Sequence, residues 1–184
     1  MSNAPASSAA TPVVLLMGVS GSGKTTIGTR LADRLGWRYA DADDFHPVAN
    51  VAKMAAGSPL TDADRAPWLA AIGQWIDDRR AEHTPAVVTC SALRRRYRIR
   101  LRQDRPDLLV VHLHGDRSLI ADRLSARHGH FFAAGLLDSQ FQALEPPRAD
   151  EDVLTVSVAS SPAEVVDLII TGLRLRPEPV DRVR

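Results

Sequence analysis

Three strings hold side chains whose types and spacing could do chemistry: GVSGSGKT at 18–25, DADD at 41–44 and RLSARHGHFF at 123–132. The first fits G-x-x-x-x-G-K-[ST] and follows the apolar run Val13–Met17. That strand-then-helix setting is the one in which such a loop cradles phosphates. Inward backbone N–H groups and the positive end of the following helix attract the anion, and glycine lets the backbone come close. The candidate phosphate-binding residues are Gly18, Val19, Ser20, Gly21, Ser22, Gly23, Lys24, Thr25 and Thr26. Lys24 can bridge the β- and γ-phosphates of a nucleotide, and the Thr25 hydroxyl can ligate Mg²⁺. The bland alternative is a flexible turn between strand and helix.

In the second string Asp41 and Asp43 occupy alternate positions beyond a strand, so they face the same side. One could orient metal-bound water while the other accepts a hydroxyl proton. Phosphoryl transfer asks mainly for positioning and charge neutralisation, and one well-placed carboxylate suffices. Asp44 and Asp64 read as cap or surface residues. In the third string Arg123 and Arg127 lie one helical turn apart. They read as arginines of a lid that folds over a triphosphate, with Gly129 as pivot, excluding water from the transfer. A solvated helix face is the alternative. The chain has no guanine-reading N-K-x-D string, and no aspartate ends the run Ala86–Cys90, where a Walker-B acid would stand. A small-molecule kinase therefore fits better than a GTPase or a motor ATPase.

These groups need elements to hold them. Strands are expected at Val13–Met17, Trp37–Asp41, Ala86–Cys90, Leu108–Leu113 and Val153–Val158. Helices are expected at Thr25–Leu35, from Pro47 to Gly57, from Pro67 to Ile76, and at Leu93–Arg102, Asp116–Arg127, Leu136–Leu144 and Ala163–Leu173. Trp68, Leu69, Ile72, Trp75 and Ile76 make one amphipathic stripe. Val48, Val51, Ala52 and Ala55 share another face. Alternation of strands and helices predicts an α/β three-layer sandwich around a parallel sheet of about five strands. Ligands sit at the carboxyl ends of such strands, and each informative string follows a strand.

The totals agree with one domain. The chain has 184 residues, is 45% hydrophobic and carries a formal net charge of +1, which argues against a polyanion-binding protein. Cys90 is the one cysteine, so no internal disulfide is possible and a reducing cytoplasm fits. No run of about 18 apolar residues predicts a membrane span. Residues 1–12 and 175–184 read as flexible tails, with the kinase domain at 13–174 and its lid at about 123–140.

The strings DADDFHP..N..KM..G.PL.D.DR.PWL at 41–69, CSALRRRYR at 90–98 and R..AR.GHFF at 123–132 together resemble the gluconokinases of the P-loop type, over about Val13 to Leu173. The resemblance implies a fold like that of shikimate and nucleoside monophosphate kinases, with a mobile lid. It implies phosphorylation of D-gluconate on its 6-hydroxyl by ATP and Mg²⁺, in a cytoplasmic homodimer. It makes Lys24, Asp43 and Arg127 the catalytic candidates, and Thr25 and Asp41 the metal candidates. Arg123 and Arg127 join the loop in holding ATP. One departure is Ala42, where the family usually has glycine; a positive φ there would re-aim the two acids.

A linear polyol with a carboxylate needs a cation and many hydroxyl partners. The candidates besides Asp43 are His46, Lys53, Arg65, Ser91, Arg98, His130 and Gln140. Arg65 and Arg98 come first for the carboxylate, by fork geometry. The plainer readings are a helix cap for His46, a solvated helix position for Lys53 and a surface pair with Asp62 or Asp64 for Arg65. Shikimate kinase or a nucleotide kinase would explain the loop and D-x-D but not His46–Leu69. A nucleic-acid-binding module is the other class, because RRRYRIRLRQDR at 94–105 has seven arginines. The apolar side at Leu93, Tyr97 and Leu101 favours an ordinary packed helix, with no nucleic-acid and no membrane partner.

Overall fold

The structure, a computed structural model, describes residues 11–126 and 134–177. Five strands form one parallel sheet: β1 (Val13–Met17), β2 (Arg38–Asp41), β3 (Ala86–Thr89), β4 (Leu109–His114) and β5 (Val153–Ser157). Their order is β2-β3-β1-β4-β5. The connections turn one way from β1 to the β2–β3 edge and the other way to β4 and β5. The carboxyl end of β1 is therefore the switch point of the sheet, where a crevice opens.

Strand β1 is buried at all five positions, and its period of two splits the core. Val14 and Leu16 point to one cluster with Ile27, Leu31, Leu35, Ile120, Leu124, Leu137, Val165 and Ile169. Those residues lie on α1 (Lys24–Leu35), α5 (Arg117–Ser125), α6 (Ala134–Ala143) and α7 (Pro162–Leu173). Val13, Leu15 and Met17 point to the other, with Trp68, Leu69, Ile72, Ile76, Tyr97 and Leu101 of α3 (Asp62–Ala81) and α4 (Arg95–Arg102). The expected three layers are present. Gly28 of α1 permits the close helix–sheet contact, since a Cβ there would stand 2.7 Å from both Thr89 and Tyr39.

One helix boundary is corrected. Helix α3 begins at Asp62 rather than Pro67, because Thr61 and Asp64 form a reciprocal capping box that satisfies the first-turn donors earlier; Pro67 lies inside the helix. Helix α2 (Val48–Ala55) forms, but its apolar stripe is not core: Val48 is 87% and Val51 50% exposed. Its buried residue is Asn50. Ala42 opens the 3-10 turn Ala42–Phe45 and is fully buried. It is not among the described residues with positive φ, so alanine does not re-aim its acidic neighbours.

The arginine-rich stretch is largely neutralised within the chain. Arg95 pairs with Asp150, Arg96 with Asp62, Arg98 with Glu151 and Arg105 with Asp77. Leu93, Tyr97 and Leu101 are buried as the pattern predicts. Arg98 is itself buried: its guanidinium donates to both oxygens of Glu151, at 2.6 and 2.8 Å, and to the carbonyls of Ala92 and Leu93. Glu151 is held below the usual carboxylate range, chiefly by Arg98. This corrects Arg98 as a ligand residue, because its donors are committed to the scaffold. Arg98→Met should lower stability by ~3–5 kcal/mol, the cost of leaving a buried charge unpaired. It should leave the KM for every substrate nearly unchanged. Chemical denaturation and steady-state kinetics check the two halves; a raised substrate KM in a stable variant would restore the ligand role.

Candidate active site

The loop between β1 and α1 is shaped for an anion. Gly21 and Gly23 have φ of 81° and 90°, and a Cβ on Gly21 would lie 2.7 Å from Leu124. Gly23 caps α1 with no side-chain hydrogen bond, and the first turn holds no acid, so the positive helix end is left to the loop. Ser22 is fully buried, with a hydroxyl that finds no hydrogen-bond partner among the described residues. A buried hydroxyl without a partner is costly, and a bound phosphate oxygen would satisfy it. Lys24 donates from Nζ to the carbonyls of Gly18 and Val19 at 3.0 and 3.1 Å, which folds it back over the loop. Val19 is buried.

Asp41 links this loop to the second acid. Its Oδ2 accepts from the Thr25 hydroxyl at 3.1 Å and from the Tyr39 hydroxyl at 3.3 Å. Its Oδ1 accepts from the Asp43 N–H at 3.2 Å, which caps the 3-10 turn. The hydroxyl and carboxylate of Thr25 and Asp41 are hard oxygen donors of the kind Mg²⁺ takes beside substrate phosphates and water. Among the described residues no cluster of three or more His, Cys, Asp or Glu could hold a metal, so such an ion would depend on the phosphates it accompanies.

Asp43 is exposed on the open side of the site, and its carboxyl is pushed above the usual range, first by partial desolvation from the groups around it and then by Asp41; Lys24 pulls the other way. His46 lies beside it. Burial lowers the imidazole pKa, Asp43 raises it and Arg65 lowers it. The ring stacks on Trp68 at 4.4 Å and 7°, and Trp68 Nε1 donates to the Ala42 carbonyl at 2.6 Å. Arg65 donates to the Leu60 carbonyl and lies 5.8 Å from the Tyr97 ring centre. It pairs with neither Asp62 nor Asp64: Asp62 accepts from Tyr97 and Arg96, and Asp64 from Lys53 at 2.6 Å.

The sequence candidates therefore separate. Thr25 bonds Asp41 at the end of β2, Asp41 bonds Asp43, Asp43 faces Lys24 and His46, and His46 feels Arg65, so these six are linked in one chain of interactions. Lys53 stands on the α3 cap, where its ammonium and Thr61 pull Asp64 down to about 2. Ser91 accepts the Gly18 N–H through its carbonyl at 3.3 Å. Gln140 is at the loop: it accepts the Ser20 N–H at 2.6 Å and donates to the Ser20 hydroxyl at 2.9 Å. Arg123 donates to the Val158 carbonyl and lines a cleft of about 360 Å³ with Gly21, Gly23, Thr26, Ser160 and Pro162. That cleft joins the phosphate loop to the β5–α7 connection. Arg127 and His130 lie outside the described residues. Cys90 is buried and its thiol is pushed up to about 12 by burial, so it packs rather than reacts. Sequence reasoning missed Tyr39, Asn50 and the bridging role of Trp68. The signals were a tyrosine two residues before Asp41 on one strand face, and a polar residue amid the apolar α2 pattern.

The shikimate kinase family model matches residues 20–170. A gluconokinase of Gluconobacter oxydans is 49% identical over 157 residues, which is 85% of this chain and 88% of that protein. A solved gluconokinase from Sinorhizobium meliloti has a TM-score of 0.80 at 44% identity, covering 89% of this chain and 92% of that one. A sugar kinase from Janibacter sp. has a TM-score of 0.84 at 42% identity, covering 91% and 96%.

The Asp43 environment has a measurable cost. Its folded pKa exceeds the ordinary value of 3.8, so at pH 7 the ionised carboxyl is less stable in the fold than in the unfolded chain. Asp43→Asn should raise Tm at pH 7. The gap should narrow as pH falls towards 4, where the parent carboxyl takes up its proton. Thermal melts across pH test this; an equal or lower Tm for the variant at pH 7 would show that Asp43 is not under electrostatic strain.

Proposed function

The chain belongs to the gluconokinase family, and from that premise we propose that it transfers the γ-phosphoryl group of ATP to the 6-hydroxyl of D-gluconate. The observation that carries the reading is the continuous link from phosphate loop to Asp41 to Asp43, which sets a strained carboxyl beside the phosphate site. The loop Gly18–Thr26 would hold the nucleotide phosphates, with Lys24 reaching the β- and γ-groups. Thr25 and Asp41 would hold Mg²⁺, which neutralises phosphate charge when bound. Asp43 would accept the proton of the attacking hydroxyl; its raised pKa makes it a better base than an ordinary aspartate.

His46 and Arg65 supply the donor and the cation that a sugar acid requires, and they lie on the acceptor side of Asp43. The cleft lined by Arg123, Ser160 and Pro162 is the place for the nucleoside end. Arg123 and Arg127, in a lid at about 123–140 of a domain spanning 13–174, would close over the triphosphate and exclude water. A homodimer in the cytoplasm completes the reading. Among the described residues no helix is long and apolar enough to cross a membrane.

A coupled ADP-release assay across gluconate, shikimate, glucose and nucleoside monophosphates should give the highest kcat/KM with gluconate. Lack of that preference would reject the acceptor. Asp43→Asn should cut kcat by about 10²–10⁴, the worth of a general base, with the KM for ATP nearly unchanged. Undiminished turnover would assign the proton to another group.

A further inference from the structure

Asn50 is a polar side chain only 3% exposed on a helix whose apolar residues face solvent. Its Nδ2 donates to the backbone carbonyl of Asp64 at 2.8 Å. A carbonyl can only accept, so this contact fixes which end of the amide is the NH₂ group. The same nitrogen stands 3.4 Å from Nδ1 of His46. A planar amide nitrogen has no lone pair to offer, so Nδ1 must be the acceptor. The neutral ring then carries its proton on Nε2. Burial favours that neutral ring. The Trp68 stack, itself anchored on the Ala42 carbonyl, resists a ring flip that would bring a C–H against Asn50.

We propose that Asn50 is a positioning residue for substrate recognition: it locks His46 as the Nε2–H tautomer, so that His46 meets the acceptor as a hydrogen-bond donor. The chemistry it selects is an oxygen that accepts, a carboxylate or hydroxyl of the sugar acid, rather than an acidic N–H or O–H partner. The reference point is the Asp64 carbonyl. Asp64 also closes the capping box with Thr61, so the start of α3 sets the register of α2 and, through it, the ring. This inference rests on the acceptor assignment of the preceding subsection.

The test begins with long-range ¹H–¹⁵N spectra of the imidazoles in the full-length protein without ligands. His46 should show a protonated Nε2 and a bare Nδ1; a proton on Nδ1 would overturn the proposal. Asn50→Asp offers an acceptor where the amide donated and should move the proton to Nδ1. It should raise the KM for gluconate about tenfold, the worth of one lost hydrogen bond, with kcat and the KM for ATP within about threefold. Asn50→Ala, which should leave the ring a mixture of tautomers, serves if the aspartate variant does not fold. His46→Gln keeps a donor amide that needs no tautomer, so adding Asn50→Ala to it should not raise the KM for gluconate further. Unchanged gluconate KM in both Asn50 variants, or full additivity with His46→Gln, would overturn the role. If the parent protein fails to phosphorylate gluconate, the acceptor assignment falls, while the spectra still decide the tautomer.

Discussion

The carboxylate of Asp41 is the joint on which the site depends. One oxygen is held by Thr25, at the start of α1, and by Tyr39, within β2; the other caps the turn that carries Asp43. The start of α1, 16 positions away, is thereby fixed with β2 and the acidic turn to a group less than a residue wide. The parallel sheet makes this possible. Strands β1 and β2 flank β3 and point the same way, so the loops at their carboxyl ends emerge side by side. Tyr39 reaches Asp41 along one strand face because residues two apart share it, and its hydroxyl also meets Thr89 of β3 at 3.2 Å. The acid is thus braced by the sheet as well as by the loop.

The acceptor side is built differently. It hangs on α3, whose capping box starts the helix early enough to present Arg65 and Trp68 on successive turns. Trp68 packs in the core and at the same time binds the Ala42 carbonyl and stacks on His46. A side chain that is core by burial therefore transmits the position of the core to the turn between the two acids. Helix α2 has no such footing: Val48, Val51 and Met54 are exposed, and Asn50 is its buried attachment. Few buried apolar contacts mean low local stability, so the placement of α2 leans on the hydrogen bonds of Asn50.

The sheet, its helices and the phosphate loop were legible in sequence because they depend on local periodicity and on a motif with a backbone mechanism. Element ends were less so: Pro67 marks a helix start in many chains, but Thr61 and Asp64 already satisfied the first turn. Side-chain pairing was the least legible. Arg98 and Arg65 carry the same guanidinium, and sequence alone suits both to a carboxylate. Only folding brings Glu151, 53 positions along the chain, against Arg98. The partner of Lys53 is hidden for the same reason, since Asp64 also belongs to the α3 cap. A polar residue within an apolar helix pattern, as at Asn50, is the local signal of such a buried contact.

The fate of the two arginines follows from what each carboxylate partner does for burial. Arg98 lies within the scaffold, so its charge demands a permanent counter-charge, and Glu151 with two carbonyls takes four hydrogen bonds from its five N–H donors. Arg65 sits at the rim, where one carbonyl and the face of Tyr97 are enough, because its neighbour Asp62 is held by Tyr97 and Arg96 instead. A cation with no carboxylate partner among the described residues, beside a partly desolvated imidazole and an aspartate under repulsion from its neighbour, is an arrangement that stability alone does not favour. The core on both faces of β1 offsets that cost, and the electrostatic imbalance is left where an incoming anion can relieve it.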